Sequence, residues 1–249
     1  MARLFVGTSG WTYSSWKGTF YPEELPARQY LKFYAKNFGT TEVNYSFYHL
    51  PKLSTYEKWA SQVPDSFVFA VKASRFITHV KRLIEVVNAW STFVQNARAL
   101  GPHVGPVLLQ FPPSFRCDPQ RVAAFLKGAR EPMSQSSGLR LAFEFRHESW
   151  FKEEIYALLR QHQAALCIAD SSRYPRHDKV TADFVYVRFH GRAKLFASEY
   201  TDKELIDEAT RIRRYLRNGL DVYVYFNNDA RGYAVKNAKT LRDLVQNRR

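Results

Sequence analysis

Residues 144–150 read EFRHESW, which places Glu144, Arg146, His147 and Glu148 within five positions of one another, directly after the apolar run LRLAF. A strand end turns on Gly, Asn or Pro and has no need of so much titratable chemistry. The same pattern recurs along the chain. Short β-rich runs end at Thr8, Ser9, Gly10 and Trp11, followed by Tyr13; at Glu42 and Asn44, followed by Tyr45, Phe47 and Tyr48; at Lys72, with Arg75 and His79 beyond; at Gln110; at Asp170; at Arg188 and His190; and at Asn227, Asn228 and Asp229.

These residue types point to an anionic ligand. Lys72, Arg146 and Arg188 carry fixed positive charge, and guanidinium groups match phosphate oxygens in pairs. Glu144, Glu42, Asp170 and His190 are the candidate catalytic groups, since carboxylates and imidazole at a sheltered site serve as general acid or base. Asn44, Gln110, His147, Asn227, Asn228 and Asp229 are candidate substrate contacts, and Trp11, Tyr13 and Tyr48 offer rings on which a base or sugar stacks. The alternative is that the charges pair with each other, Glu144 with Arg188 for example, and fill the interior. Neither H-x-x-x-H nor H-E-x-x-H occurs, so a metal set drawn from His79, His147, His190, Glu42, Glu144 and Asp170 is not written plainly. No cofactor is required by the sequence, and a divalent metal stays open.

The elements that must position these groups follow from periodicity. Strands are predicted over 3–7, 40–44, 67–71, 105–111, 139–145, 165–170, 184–190 and 221–227. Helices are predicted over 27–38, 54–62, 83–100, 118–130, 152–162, 202–217 and 231–247. The interval 171–183, SSRYPRHDKVTAD, is too polar and short for a full helix, which makes one crossover degenerate. Eight strands alternating with helices over 249 residues predict an α/β fold, a single (β/α)8 TIM-barrel domain spanning 1–249. An open doubly wound sheet would call for G-x-G-x-x-G after the first strand, and GTSGW lacks that spacing. Catalytic residues of such barrels sit at the carboxyl ends of the strands, where every residue named above falls. Because side chains alternate, Glu42 with Asn44, Glu144 with Arg146, and Arg188 with His190 are each expected to share a face. The segment REPMSQSSG, 130–138, reads as a mobile loop.

Thirty-seven Lys and Arg against 23 Asp and Glu leave a formal charge of +14, which favours polyanionic or phosphorylated partners. Half of that excess lies after position 210, where RIRRYLR, 211–217, reads as the solvated face of a helix. Cys117 and Cys167 stand alone, which fits a reducing, cytoplasmic setting. No run approaches the roughly 20 apolar residues that a membrane span needs.

Seven blocks in order, GTSGWTYSSWKGTFYP (7–22), EVNYSFYHLP (42–51), FAVKASRFITHVKRL (69–83), LLQFPPSF (108–115), FEFRHESWF (143–151), VRFHG (187–191) and VYFNNDARGYAVKNA (224–238), resemble the successive signatures of the YecE-like family, domain of unknown function 72. The resemblance implies a TIM barrel related in architecture to the endonuclease IV and xylose isomerase group, without a settled activity. Together these readings lead to an enzyme acting on a phosphate-bearing substrate, nucleic acid or sugar phosphate. Architectural resemblance to endonuclease IV suggests a phosphodiesterase or nuclease-like hydrolase. The alternatives are a nucleic-acid-binding protein without catalysis and a sugar-phosphate isomerase or aldolase-like enzyme.

Overall fold

The structure, a computed structural model, describes residues 2–134 and 139–247, with side chains outside 130–134. Eight parallel strands carry the fold: β1 Leu4–Thr8, β2 Thr40–Val43, β3 Val68–Lys72, β4 Val104–Gln110, β5 Leu141–Glu144, β6 Ala165–Asp170, β7 Phe184–Phe189 and β8 Asp221–Phe226. They alternate with helices α1 Tyr30–Tyr34, α2 Tyr45–Tyr48, α3 Leu53–Ala60, α4 Val87–Ala97, α5 Pro119–Ser134, α6 Glu153–Gln161, α7 Asp202–Arg217 and α8 Tyr233–Gln246. The sheet order β1-β8-β7-β6-β5-β4-β3-β2 keeps sequence neighbours adjacent, the arrangement of the (β/α)8 class. No helix separates β6 from β7, as the polar composition of 171–183 requires. The loop expected over 130–138 lies outside the described residues, apart from the backbone of α5 up to Ser134.

The chain resolves into two compact units. One takes the chain up to Glu42, Ile168–Asp178 and everything from Asp183 onward; the other takes Val43–Cys167 and Lys179–Ala182.

In the first unit, β8 lies between β1 and β7, with Leu4 opposite Val222 on one side and Phe184 opposite Asp221 on the other. Alternation then places Tyr186 and Arg188 of β7 on the same face as Tyr223 and Tyr225 of β8, their register partners. The other face of these strands is apolar, and Phe189 stacks on Phe226 at 4.7 Å. Helix α7 starts from a capping box in which Thr201 and Glu204 satisfy each other's backbone amides. Gly7 is in β1 because two backbones meet there: a Cβ would lie 2.2 Å from the carbonyl oxygen of Thr40. Tyr34 pins the same junction, its hydroxyl accepting from the Thr8 N–H at 2.9 Å and donating to the Thr40 carbonyl at 3.1 Å. Burial raises that hydroxyl's pKa to about 12.

In the second unit, β3, β4, β5 and β6 pair in order, with an irregularity in β3 between Phe69 and Val71. Trp90, Phe93, Phe125 and Phe143 build its core, and none of them is more than 4 % exposed. Beyond β5, Phe145 packs away from the charged side chains and Trp150 stacks on it at 4.1 Å, its indole N–H donating to the Phe115 carbonyl. Two local expectations fail here. The strand over 40–44 stops at Val43 because Asn44 takes helical angles (φ −87°, ψ −19°) as the residue before α2, so the alternation that would put Asn44 on the face of Glu42 ends there. The helix expected over 83–100 begins only at Val87. Its first turn is lost because Leu83 and Glu85 sit at φ values of 70° and 50°, which no right-handed helix accommodates; they follow Arg82 at φ 47° and a π-helical turn, Phe76–Val80.

Replacing Gly7 by Ala forces β1 and β2 apart. We expect a loss of about 2 kcal/mol or more in urea denaturation, with the far-ultraviolet spectrum of the folded state retained.

Candidate functional site

In the first unit the central feature is a buried ion pair with a tyrosine attached. Glu42, at the end of β2, accepts from Arg188 Nη2 at 2.8 Å through Oε1 and from the Tyr186 hydroxyl at 2.6 Å through Oε2. Glu42 and Arg188 are both completely buried. Burial, with the Glu42 charge beside it, pushes the Tyr186 hydroxyl well above its ordinary range, which keeps it protonated and a donor. Both carboxylate oxygens of Glu42 are therefore engaged in holding neighbours. Two residues further along β7, His190 is buried, and Asn227 Nδ2 lies 3.1 Å from its Nδ1. With Asn227 donating, Nδ1 is an acceptor and the imidazole proton sits on Nε2.

Asp170, at the end of β6, is the centre of a larger network. Its Oδ2 accepts from Arg176 Nη1 at 2.5 Å and from Arg192 Nη2 at 2.7 Å, and its Oδ1 from the Tyr200 hydroxyl at 2.7 Å. Arg176 and Arg192 both continue to Glu208 of α7, which is 2 % exposed, and Arg211 meets the same carboxylate. Burial alone would raise the Asp170 pKa, but the bonds from Arg192 and Tyr200 and the charge of Arg176 together hold it below the usual carboxylate range. Sequence reasoning included Asp170 and missed the rest of this network. The one signal was Arg176 in RYPRHD, a stretch too polar to be a helix.

Asn228 donates to the Ser198 carbonyl and to Asn237 Oδ1, and so anchors the loop before α7 to α8. The Asp229 carbonyl accepts from the Trp16 indole, and burial raises its carboxyl pKa. Trp11 is buried, and Tyr13 donates to the Ser9 carbonyl while packing on Trp16 at 4.6 Å. These two aromatics are thus committed to the loop that follows β1.

The second unit carries a cluster of cations at its strand ends. Arg146 Nε donates to Glu144 Oε1 at 2.8 Å, with Glu144 wholly buried. Gln110, the register partner of Glu144, turns its amide to the Phe111 carbonyl. His147 accepts from the Ser149 N–H and starts the short helix 148–150, a local structural role. Lys72 lies over the ring of Phe47 at 4.1 Å, and Phe47 meets His79 edge to face at 5.0 Å. Arg82 reaches Ser114 and the His79 carbonyl. Around His79 stand Lys72, Arg146, Arg75 and Arg82; burial first and then these four charges lower its pKa to about 4. Thr78 donates its one hydroxyl proton to the Ser74 carbonyl, so its oxygen accepts from His79 Nδ1–H at 2.9 Å and leaves Nε2 with a lone pair. Sequence reasoning placed His79 only among residues for a metal. What singles it out is its position in the π-helical turn Phe76–Val80, in the interval between the strand predicted to 71 and the helix predicted from 83. Among the described residues no group of three or more His, Cys, Asp or Glu side chains is placed to hold a metal ion. No helix among them is long and apolar enough to cross a membrane.

Comparison with known proteins agrees on one family. Residues 5–249 match the model for "Protein of unknown function DUF72". The UPF0759 protein YunF of Bacillus subtilis is 26 % identical, over 97 % of this chain and 94 % of that protein. A DUF72 family protein of Thermotoga maritima is 29 % identical at a TM-score of 0.81, over 98 % of this chain and all of that one. A DUF72 family protein of Enterococcus faecalis, at 21 % identity and a TM-score of 0.81, shares the fold over 100 % of this chain and 97 % of its own.

The depressed Asp170 carboxyl contributes stability that is present above the unfolded-state value, near 3.8, and is lost as pH falls through the lower folded value. Asp170→Asn is therefore expected to be less stable than the parent at neutral pH, with the two converging below about pH 4. Urea unfolding measured across that range checks this, and parallel curves would exclude it.

Proposed function

The chain belongs to the DUF72 family, and from that premise we propose that it is a cytoplasmic enzyme acting on a phosphate-bearing substrate. The observation that carries the reading is the set Lys72, Arg75, Arg82 and Arg146 gathered around a neutral His79. Among the described residues neither Arg75 nor Arg82 has a carboxylate partner. From position 66 to 84 the chain has Lys72, Arg75, Lys81 and Arg82 and no acid at all. Such an excess costs folding energy through self-repulsion and is relieved by an anion.

In this reading Lys72, Arg75 and Arg82 bind phosphate oxygens, and Arg146, braced by Glu144, presents a guanidinium of fixed orientation. Glu144 is the general acid or base of this unit. His79 accepts a proton through Nε2 as the negative ligand arrives, because an anion offsets the four charges that keep the imidazole neutral. In the other unit, Glu42 and Asp170 hold their arginines in place, while His190, which accepts from Asn227 through Nδ1, is the group for proton transfer. The chain has only two cysteines, Cys117 and Cys167, fifty positions apart, a usage that suits a reducing compartment.

Titrating the His79 ring by nuclear magnetic resonance, with and without millimolar inorganic phosphate, tests the binding half. The pKa is expected to rise from about 4 when phosphate is present, and Lys72→Met is expected to weaken that response. An unmoved titration would remove the phosphate site. The catalytic half rests on Glu144→Gln, which should lose turnover in a screen of phosphodiesters, phosphomonoesters and sugar phosphates while keeping the phosphate response of His79. Full activity in that variant would take Glu144 out of the mechanism.

A further inference from the structure

The loops that follow β2 and β3 carry a second feature that phosphate binding leaves unexplained. Tyr48 is 71 % exposed, the most exposed large hydrophobic residue among the described residues, and its ring packs edge to face on Phe47 at 4.9 Å. Phe47 in turn touches both His79 and Lys72, so Tyr48 stands one ring away from the cation cluster. The two loops are tied together by Ser46, whose hydroxyl donates to the Lys72 carbonyl at 2.6 Å. On the β3 side Phe76 is 45 % exposed, with Lys81 over its ring. Burial of large aromatics is the default, and an open tyrosine beside a cluster of arginines has no packing reason. The charge around it is of one sign: residues 43–56 and 66–84 contain no Asp or Glu.

We propose that the loops after β2 and β3 form a binding surface for single-stranded nucleic acid, with Lys72, Arg75 and Arg82 taking backbone phosphates and Tyr48 stacking on a base. The proposal rests on the phosphate reading above and adds a substrate class to it. A sugar phosphate would occupy the cations and leave Tyr48 unused. A duplex would present phosphates but hide its base faces from a stacking ring. An unpaired strand uses both features, because every base has a face for an aromatic ring and every nucleotide carries a phosphate for a cation. Phe76, on the other loop, is placed to extend the stacking surface. The π-helical turn and the three left-handed residues that follow it set this surface, since they bring Arg75, His79 and Arg82 onto one short segment.

The test uses the full chain and a fluorescent oligothymidylate of about 12 nucleotides, a length within the footprint of known single-strand binders. Binding followed by anisotropy is expected to weaken with salt at a log–log slope of about −2, the value for three phosphate contacts on a single strand. Tyr48→Ala is expected to weaken binding about tenfold, the loss of one stacked base, and Tyr48→Trp to retain it. Because Tyr48 is exposed, its truncation leaves the core intact, and the phosphate response of His79 should be unchanged in both variants. Phosphate binding without oligonucleotide binding, or oligonucleotide binding indifferent to Tyr48→Ala, overturns this proposal and leaves the phosphate site standing. Absence of both interactions overturns the two together. Equal affinity for a duplex of the same length, or binding to anionic lipid vesicles in place of the oligonucleotide, overturns the single-strand assignment.

Discussion

The constraint on which the first unit depends is the carboxylate of Glu42, sealed from water with Arg188 on one oxygen and Tyr186 on the other. A charge in that position is tolerated only because its partners are brought to it in fixed geometry. That geometry comes from β7, whose alternation delivers Tyr186 and Arg188 to the same face, and from β8, which places Tyr225 beside them to bond Thr40 at 2.8 Å. It also comes from the close approach of β1 and β2 at Gly7. Removing Arg188 would leave the buried Glu42 carboxylate without this counter-charge, a loss of about 3–5 kcal/mol for pairs of this kind. Stability and the orientation of Arg188 are thus one property, and the strands cannot shift register without giving up both.

The two units solve the problem of buried charge differently. In the first, two strand-end carboxylates are hubs: Glu42 accepts from Arg188 and Tyr186, and Asp170 from Arg176, Arg192 and Tyr200, so these arginines are engaged in holding carboxylates. In the second, four cations surround His79, and Glu144 braces one of them, Arg146. The contrast explains why the phosphate reading rests on the second unit. An arginine already bidentate to a buried acid has little left to offer a ligand, whereas a positive cluster is completed by one.

The strands were legible because each is a short run of β-branched and aromatic residues with polar ends; β6 occupies Ala165–Asp170 as its apolar run indicates. The positions of the candidate residues at carboxyl ends followed from the same reading. What stayed hidden depends on partners distant in sequence or on backbone angles that residue type does not announce. Glu42 and Arg188 are 146 positions apart, and no local pattern links them. The apolar spacing over 83–100 looks helical, yet Leu83 and Glu85, which have ordinary helical propensity, sit at positive φ. His79 was undervalued for the same reason: its significance comes from the charges that the irregular turn gathers around it. The aromatic residues differ in exposure in a way that residue type does not announce: Trp11 is buried and Tyr13 half-buried, while Tyr48 is open.

The stretch between β6 and β7 has one more consequence. Where other crossovers cover their strands with an apolar helix face, this one is fastened by Arg176 bridging Asp170, Asp178 and Glu208, with Arg192 beside it. The two kinds of fastening respond differently to heat. Hydrophobic cover reaches a plateau with rising temperature, while the cost of stripping water from charged groups falls, so an ion network loses less ground on warming than it would by the standards of a cool solution. This crossover is therefore the part of the outer layer whose relative hold improves as the rest of the molecule approaches melting.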